Sequence, residues 1–233
     1  MLNSEELAVL EREIVSCRRC PRLVAWREEV ARKKRAAYSD ETYWGRPVPG
    51  FGDPDASVVV FGLAPAAHGA NRTGRFFTGD RSGDFLFAAL HRTGFANKPV
   101  SRHKDDGLRL CGLWISAAVR CAPPQNKPTP DERAACLPYA ARELELLDAK
   151  VVVCLGAFAW DAALASARRL GWAVPRPRPT FGHGAQVALA RPDRPPVWLL
   201  GSYHVSQQNT FTSKLTPAML DAVLARAREL GGC

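Results

Sequence analysis

The sequence lacks the features that would place it in a membrane or outside the cell. No apolar run approaches the roughly 20 residues that a membrane-spanning helix needs. The N-terminal stretch "MLNSEELAVLEREI" is acidic and amphipathic, whereas a secretory signal begins with basic residues and continues with apolar ones. Internal repeats are absent as well. We therefore expect a globular intracellular protein, and its 233 residues suffice for one substantial domain.

Acidic residues are too few to balance the basic ones. The chain has 32 Lys and Arg against 23 Asp and Glu, which gives a net charge of +9 at pH 7. Clustered cations gain affinity for phosphates by releasing counterions, so a polyanionic partner such as nucleic acid is one interpretation. A basic surface without such a partner explains the charge equally well.

Four apolar runs have the length and composition of buried parallel strands. They are "SVVVFGL", "LWISAAV", "KVVVCLG" and "VWLLGSY", and helical patterns separate them. This alternation predicts a three-layer α/β/α fold with a central, mostly parallel four-stranded sheet. We expect residues 1–233 to form a single domain with a helical segment over residues 1–45, in which Ser4 caps the first helix and Pro21 opens the second. The Pro-rich stretches "YWGRPVPGFGDPDA" and "VPRPRPTFGHGAQVALARPDRPP" read as irregular connections.

Ligands of such folds bind beyond the carboxyl ends of the strands, so the segments there are the first candidates for a site. Three of them are rich in polar residues: "APAAHGANRTGRFFTGD", "RCAPPQNKPTP" and "HVSQQNTFTSKLT". Single residues in them also have ordinary structural explanations. Asp80 can cap the helix that begins near Ser82, and Asn126 can be a turn residue before Pro128. A lone histidine is more often structural, yet the place of His204 after a strand favours a role in a site.

Seven cysteines in an intracellular chain argue against disulfides and favour thiolate ligands or buried thiols. Cys17 and Cys20 form a C-x2-C pair, and Cys121 and Cys136 form a second, wider pair. Four thiolates suit either a structural zinc ion or an iron-sulfur cluster, and the wide second pair favours a 4Fe-4S cluster. Ordinary core or surface thiols are the alternative. Cys154 lies within an apolar run and is expected to be a buried thiol.

Taken together, these motifs resemble family 5 of the uracil-DNA glycosylase superfamily, the UDGb group of bacteria and archaea. The resemblance rests on "GLAPAAHGANRTGRFFTGD", "VRCAPPQNKPTP", "SYHVSQQNT" and the four cysteines, and it spans nearly the whole chain. It implies a monomeric enzyme of the prokaryotic cytoplasm that removes uracil from single- and double-stranded DNA by flipping the base out of the stack. It also implies a 4Fe-4S cluster held by Cys17, Cys20, Cys121 and Cys136.

The resemblance also implies roles for individual residues at the reacting bond. Asp80 would act on the attacking water and stabilise the sugar cation, and Asn126 would assist it. His204 would hold the negative charge that builds on the departing base. The flipped base would stack on one aromatic side chain beside a pocket at the strand ends: Phe77, with Gly62, Leu63, Ala64 and Ala117.

The remaining expected contacts are with DNA. Because the polar loops are basic and lie at the predicted ligand-binding edge, we expect them to bring basic and amide side chains to the phosphates, namely Asn71, Arg72, Arg75, Arg120 and Lys127. Gln207, Gln208 and Asn209 would enter the duplex where the base was, in place of the more familiar leucine.

Specificity is expected to be loose. Ala117 and Ala118 stand where many uracil glycosylases have an asparagine that reads the edge of the base. A site without that amide loses its sharpest discrimination, so hypoxanthine becomes a plausible second substrate. Two alternatives to a glycosylase stay open: a non-catalytic DNA-binding protein held together by a metal, and a glycosylase-like protein that captures damaged DNA covalently.

Overall fold

The computed structural model describes residues 2–233, with their side chains from residue 4 onward. The helices are α1 (Leu2–Val15), α2 (Pro21–Lys33), α3 (Ala70–Thr73), α4 (Arg81–Arg92), α5 (Pro130–Leu146), α6 (Ala157–Arg169), α7 (Gln207–Thr210) and α8 (Pro217–Gly231). The strands are β1 (Phe51–Gly52), β2 (Val58–Gly62), β3 (Leu113–Ala117), β4 (Val151–Leu155), β5 (Gln186–Arg191) and β6 (Arg194–Ser202). None of the helices within residues 2–233 is both long enough and apolar enough to span a membrane.

The strands form one mixed sheet in the order β1-β3-β2-β4-β6-β5. Its four central strands are parallel and coincide with the four apolar runs that predicted them. The predicted count of four strands is incomplete, because β1 and β5 pair antiparallel at the two edges. Both lie in Pro-rich segments that read as irregular. β1 is only two residues long, and most residues of β5 are exposed or half-buried, so neither has the apolar run of a central strand.

Helices cover both faces of the sheet, which explains why the central strands are mostly apolar and buried where they pair with one another. α4 and α8 pack on one face through side chains such as Leu86, Leu90 and Leu224. α5 and α6 cover the other face, where Leu144 and Trp160 are buried. The predicted three-layer α/β/α fold is therefore confirmed.

The N-terminal helices pack on the α5 side. Leu10 and Ile14 of α1 contact Tyr139 of α5. The prediction that Ser4 caps the first helix is wrong, because α1 begins at Leu2 and Ser4 lies within it. α2 begins at Pro21 as predicted, and its Arg22 forms a 2.7 Å ion pair with Glu132 in the first turn of α5. This pair ties α2 to the helix that follows the "RCAPPQNKPTP" loop.

Candidate active site

The ends of β2 and β3 meet at the predicted base pocket. The N–H of Ala118 donates to the carbonyl of Gly62, and the N–H of Val119 donates to the carbonyl of Leu63, both at 3.0 Å. Gly62 also pairs in register with Ala117. The structure thus brings Gly62, Leu63 and Ala117 together at the carboxyl edge of the sheet.

Phe77 lies against this strand end. A Cβ placed on Gly62 would meet Cζ of Phe77 at 2.9 Å, so the close approach of the ring depends on glycine. Phe77 itself has a positive φ of 52°, a backbone conformation that is strained for an aromatic residue. Its ring centroid is 6.4 Å from that of His204, at an interplanar angle of 41°. The loop therefore holds a half-buried ring, at some backbone strain, beside the histidine.

Asp80 is the N-cap of α4, which confirms the prediction that it can cap the helix beginning near Ser82. Its Oδ1 accepts a 2.9 Å hydrogen bond from the backbone N–H of Gly83. Its Oδ2 lies so close to Gly69 that a Cβ on that glycine would be 2.1 Å from it. Burial raises the pKa of Asp80, while the backbone N–H groups of Gly83 and Ser82 act in the opposite direction. A carboxylate in this position is more basic than an ordinary aspartate and has one oxygen fixed by the helix.

His204 lies two residues beyond the end of β6 and packs beside Gly156, which follows β4. Its backbone carbonyl accepts a 2.8 Å hydrogen bond from Nδ2 of Asn209. Within residues 2–233, no protein group forms a hydrogen bond with the imidazole, and burial lowers its pKa to about 4. The ring is therefore neutral at pH 7, and a neutral imidazole can donate one N–H to a ligand.

Two further histidines of the predicted loops have partners within the protein. His183 Nδ1 accepts a 3.2 Å hydrogen bond from the backbone N–H of Tyr203, the residue before His204. The rings of His183 and Tyr203 also stack, with centroids 5.1 Å apart. His68 is bonded through Nδ1 to the hydroxyl of Tyr43 at 3.0 Å. Both histidines thus have structural partners.

Asn126 differs from the other predicted catalytic residues because it is exposed. It ends a 3-10 turn over Pro124–Asn126, with a positive φ of 57°. Its backbone N–H donates to the carbonyl of Pro123 at 3.2 Å. The turn interpretation is confirmed, and no hydrogen bond joins the Asn126 side chain to Asp80 among the described residues.

The structure disagrees with the prediction that Arg72 and Arg75 contact phosphates. Both guanidinium groups are buried inside the loop that bears them. Arg72 pairs with Glu41 and donates to the carbonyl of Gly79 at 2.9 Å. Arg75 forms a 2.8 Å ion pair with Asp106, which is buried as well. These arginines hold the loop in shape, and a phosphate contact would require their ion pairs to break.

Asn71 and Arg120 are also buried rather than facing DNA as predicted. The Nδ2 of Asn71 donates to the backbone carbonyl of Arg27 at 3.2 Å, which joins the loop after β2 to α2. Arg120 forms a 2.5 Å ion pair with Glu143 in the core. Of the four predicted phosphate-binding cations, Lys127 alone is exposed.

The loop after His204 presents a different side chain from the one predicted. Gln207 and Gln208 are exposed, but the amide of Asn209 is bound to the carbonyl of His204 and shapes the turn. Phe211 is 72% exposed, the most exposed large apolar side chain among those described. The sequence signal for Phe211 was an isolated aromatic residue in an otherwise polar loop. Lys214 is exposed nearby, with Nζ 4.9 Å from the centroid of the Tyr203 ring.

The four predicted metal ligands also come together, between α2 and α5. Leu23 of α2 packs with Cys20, Cys121 and Cys136, and with Ala64 from the loop after β2. Cys17 is close enough to raise the pKa of the other three cysteines. We call these four cysteines, Leu23 and Arg27 the cysteine region. Ala64, which was predicted to line the base pocket, packs against this region.

Burial dominates the chemistry of these thiols. It raises the pKa of Cys20 to about 11 and that of Cys121 to about 12, and it raises that of Cys136. Among residues 2–233, no group of three or more His, Cys, Asp or Glu side chains has the geometry to hold a single metal ion. Cys154 is buried in β4 as predicted, and Cys111 is exposed.

Comparisons with known proteins agree with these motifs. A model of the "Uracil DNA glycosylase superfamily" matches residues 49–228. A type-5 uracil-DNA glycosylase of Mycobacterium tuberculosis is 55% identical over 218 residues, which cover 93% of this chain and 78% of the relative. The type-5 protein of Thermus thermophilus is 52% identical over 220 residues, covering 94% and 95%. A type-4 uracil-DNA glycosylase of Archaeoglobus fulgidus is 32% identical over 156 residues, covering 66% and 62%.

Proposed function

Because the chain belongs to the uracil DNA glycosylase superfamily, we propose that the carboxyl edge of its sheet is the active site of a DNA repair enzyme. The enzyme hydrolyses the bond between uracil and deoxyribose and leaves an abasic site. The observation that best supports this assignment is that Phe77 and His204, which are distant in sequence, come together at one strand edge. DNA as the substrate favours an intracellular location, and the enzyme is proposed to act as a monomer.

Phe77 and His204 are proposed to receive the flipped base. A base extruded from duplex DNA is held by stacking and by hydrogen bonds to its edge. The half-buried ring of Phe77 supplies the stacking surface. The neutral imidazole of His204 donates an N–H to the uracil oxygen, where negative charge grows as the base leaves. A neutral donor also avoids the cost of burying a charged imidazolium before the reaction starts.

Asp80 is proposed to assist the attack of water. As the glycosidic bond breaks, the base leaves with the bonding electron pair and the sugar becomes oxocarbenium-like. The carboxylate stabilises that positive charge, then accepts the proton of the water whose oxygen bonds to the sugar carbon. The elevated pKa of Asp80 strengthens it as a base. Its fixed Oδ1 limits the positions that Oδ2 can adopt.

Asn126 is proposed to assist Asp80 only after DNA binds. Its side chain is exposed at a turn and forms no hydrogen bond with Asp80 among the described residues, so it has no catalytic geometry on its own. The support for its role is its position in the loop after β3, at the same edge of the sheet as Asp80. We expect its contribution to the rate to be smaller than that of Asp80.

Contact with DNA is proposed to run through the exposed side chains rather than the buried arginines. Phe211, with Gln207 and Gln208 beside it, enters the space that the flipped base leaves, because an apolar ring can replace lost stacking between base pairs. Lys127 and Lys214 are exposed on loops of this edge and can contact phosphates.

A 4Fe-4S cluster is proposed to bind to Cys17, Cys20, Cys121 and Cys136. Two observations support the fit. The four cysteines are mutual neighbours, and the donor set of four thiols is the one such clusters take. Zinc ribbons usually have two short C-x2-C pairs, whereas Cys121 and Cys136 are widely separated in the chain. When bound, the cluster supplies a link between α2, the loop after β3 and α5.

The substrate range is proposed to include hypoxanthine. Ala117 and Ala118 offer no side-chain amide at the end of β3, and both are buried. A pocket that reads the base edge through the backbone and one histidine discriminates less than a pocket with a dedicated amide.

Release of the base from defined duplexes tests the function. We expect uracil release from a U-containing oligonucleotide, slower release of hypoxanthine, and no release of thymine. Binding without release would favour a non-catalytic DNA-binding protein. An adduct that survives denaturation would favour covalent capture. Release of uracil without any release of hypoxanthine would overturn the loose-pocket proposal alone.

A further inference from the structure

Arg27 is a buried cation without a buried carboxylate. It lies in α2 and is 2% exposed. Its Nη1 donates to Sγ of Cys121 at 2.9 Å, and its Nη2 donates to the carbonyl of Cys17 at 3.3 Å. Its Nε has no hydrogen-bond partner in the described part of the chain. Both acceptors of this guanidinium therefore belong to cysteines of the cysteine region.

The nearest carboxylate does not explain this burial. Glu28 is 3.9 Å from Nη2 of Arg27, beyond hydrogen-bond distance. It is about half exposed, and it is already bound by both terminal nitrogens of Arg18. Arg75 and Arg120 differ, because each forms a direct ion pair with a buried carboxylate, Asp106 and Glu143 respectively.

A buried charge is costly unless an opposite charge lies next to it. A neutral Cys121 thiol accepts a hydrogen bond but does not offset a guanidinium charge. A cluster held by four thiolates carries net negative charge, and hydrogen bonds to its sulfurs help to set its reduction potential.

We propose that Arg27 is the fixed counter-charge of the cluster, and that its hydrogen bond to Cys121 Sγ raises the reduction potential of the cluster and slows its loss. Arg27 is a positioning residue in this role and touches neither DNA nor the reacting atoms. The inference rests on the proposed cofactor. The backbone carbonyl of Arg27 also accepts the hydrogen bond from Asn71, so the same helical turn contacts the cysteine region and the loop after β2.

The test compares Arg27→Met, which removes the charge at similar length, with Arg27→Lys, which keeps it. Arg19→Met is the matched control, because Arg19 lies between Cys17 and Cys20 but is exposed to solvent. The full-length proteins are purified anaerobically. Three quantities are measured: iron per chain, the rate at which an iron chelator bleaches the visible absorbance, and the one-electron reduction potential by voltammetry.

We expect Arg27→Met to lower the reduction equilibrium constant at least tenfold, which is 59 mV for one electron, and to speed bleaching at least fivefold. The potential should fall in Arg27→Met because the cation is removed. A nearby cation stabilises the reduced cluster, which carries more negative charge than the oxidised one. Arg27→Lys should have a reduction potential close to that of the wild type. Arg19→Met should change the reduction equilibrium constant less than twofold. If Arg27→Met yields no loaded protein, Arg27→Gln replaces it, since its amide can still donate to sulfur without charge.

The outcomes distinguish failure of the proposed cofactor from failure of the role proposed for Arg27. Wild-type protein without iron would overturn the cofactor and this inference with it. A loaded protein in which the potential and bleaching of Arg27→Met match the wild type would overturn this inference alone. An equal shift in Arg19→Met would also overturn it, because the effect would then be one of overall charge.

Discussion

The active-site edge and the cysteine region both bury ionisable groups, but the two regions differ in how the charge of those groups is handled. At the edge, His204 is neutral and Asp80 is bound to the start of α4. In the cysteine region, the thiols have raised pKa values and Arg27 lacks a buried carboxylate. At the edge the buried carboxylate therefore has a partner, whereas in the cysteine region the negative charge beside Arg27 is proposed to come from the cluster. The first region should control the rate and the second should control stability.

The largest effect should come from removing a proposed cluster ligand. Cys136→Ala should abolish iron binding and lower the melting temperature strongly, because binding energy for a structural metal group contributes directly to folding. Iron analysis and thermal unfolding measure both. Cys111→Ala is the matched control, since this cysteine is exposed and should leave both unchanged. If Cys136→Ala kept its iron and its melting temperature, the proposal that the cysteine region controls stability would be wrong.

The next effect should fall on the rate alone. Asp80→Asn should slow single-turnover release of uracil by about two to three orders of magnitude, since it removes the charge beside the sugar cation. Stability should change little, because asparagine is as good an N-cap as aspartate. Iron content should match the wild type. A rate within threefold of wild type would remove Asp80 from the chemical step.

A third test uses pH. Burial raises the pKa of Asp80 above the ordinary value of 3.8, and the proposed mechanism needs its anion. The rate should therefore begin to fall, as pH decreases, at a higher pH than for an ordinary aspartate. Single-turnover rates measure this, and an acid limb centred at or below pH 3.8 would contradict it.

Acid also weakens the fold through His204, and this effect needs its own control. The unfolded chain binds a proton at residue 204 near pH 6.5, whereas the folded chain does so only near pH 4. The free energy of unfolding should therefore decrease as pH falls from 6.5 to 4. Circular dichroism of Asp80→Asn follows this loss of stability separately, so that it can be distinguished from loss of the catalytic anion.

The sequence predicted the parts of the molecule that depend on local patterns. Apolar runs located the four central strands, and the Asp80 cap followed from helix-start chemistry. The partners of Arg72 and Arg75 could not be predicted in this way, because Glu41 and Asp106 lie about 30 residues away in chain order. The local sequence around an arginine in a polar loop does not show whether the side chain contacts a phosphate or a carboxylate of its own chain. The exposure of Phe211 likewise depends on how the loop after β6 turns.

A smaller effect should follow from changing the tip of that loop. Phe211→Ala should reduce single-turnover release from duplex DNA by about tenfold, because the variant cannot replace the stacking that the flipped base loses. Release from single-stranded DNA should change much less, since no duplex gap needs to be filled. Gln207→Ala is the control from the same loop, with an expected change below threefold. Equal losses on both substrates would mean that Phe211 acts on the pocket rather than on the duplex.

The smallest effect separates exposed from buried cations. Lys127→Ala should leave the melting temperature unchanged and flatten the slope of log affinity against log salt by about 0.9, because one phosphate contact is lost. Arg75→Ala should do the reverse: it removes the 2.8 Å ion pair from the buried Asp106 carboxylate and leaves it only Lys98 at 3.7 Å, so the protein should lose stability while the salt slope stays the same. Binding to a duplex without uracil, titrated over a range of salt, measures the slope without interference from catalysis. If Arg75→Ala flattened the slope with its fold intact, the buried arginine would reach DNA after a rearrangement of the loop. The structure of the DNA complex, and not that of the free protein, would then be needed to distinguish structural cations from cations that bind DNA.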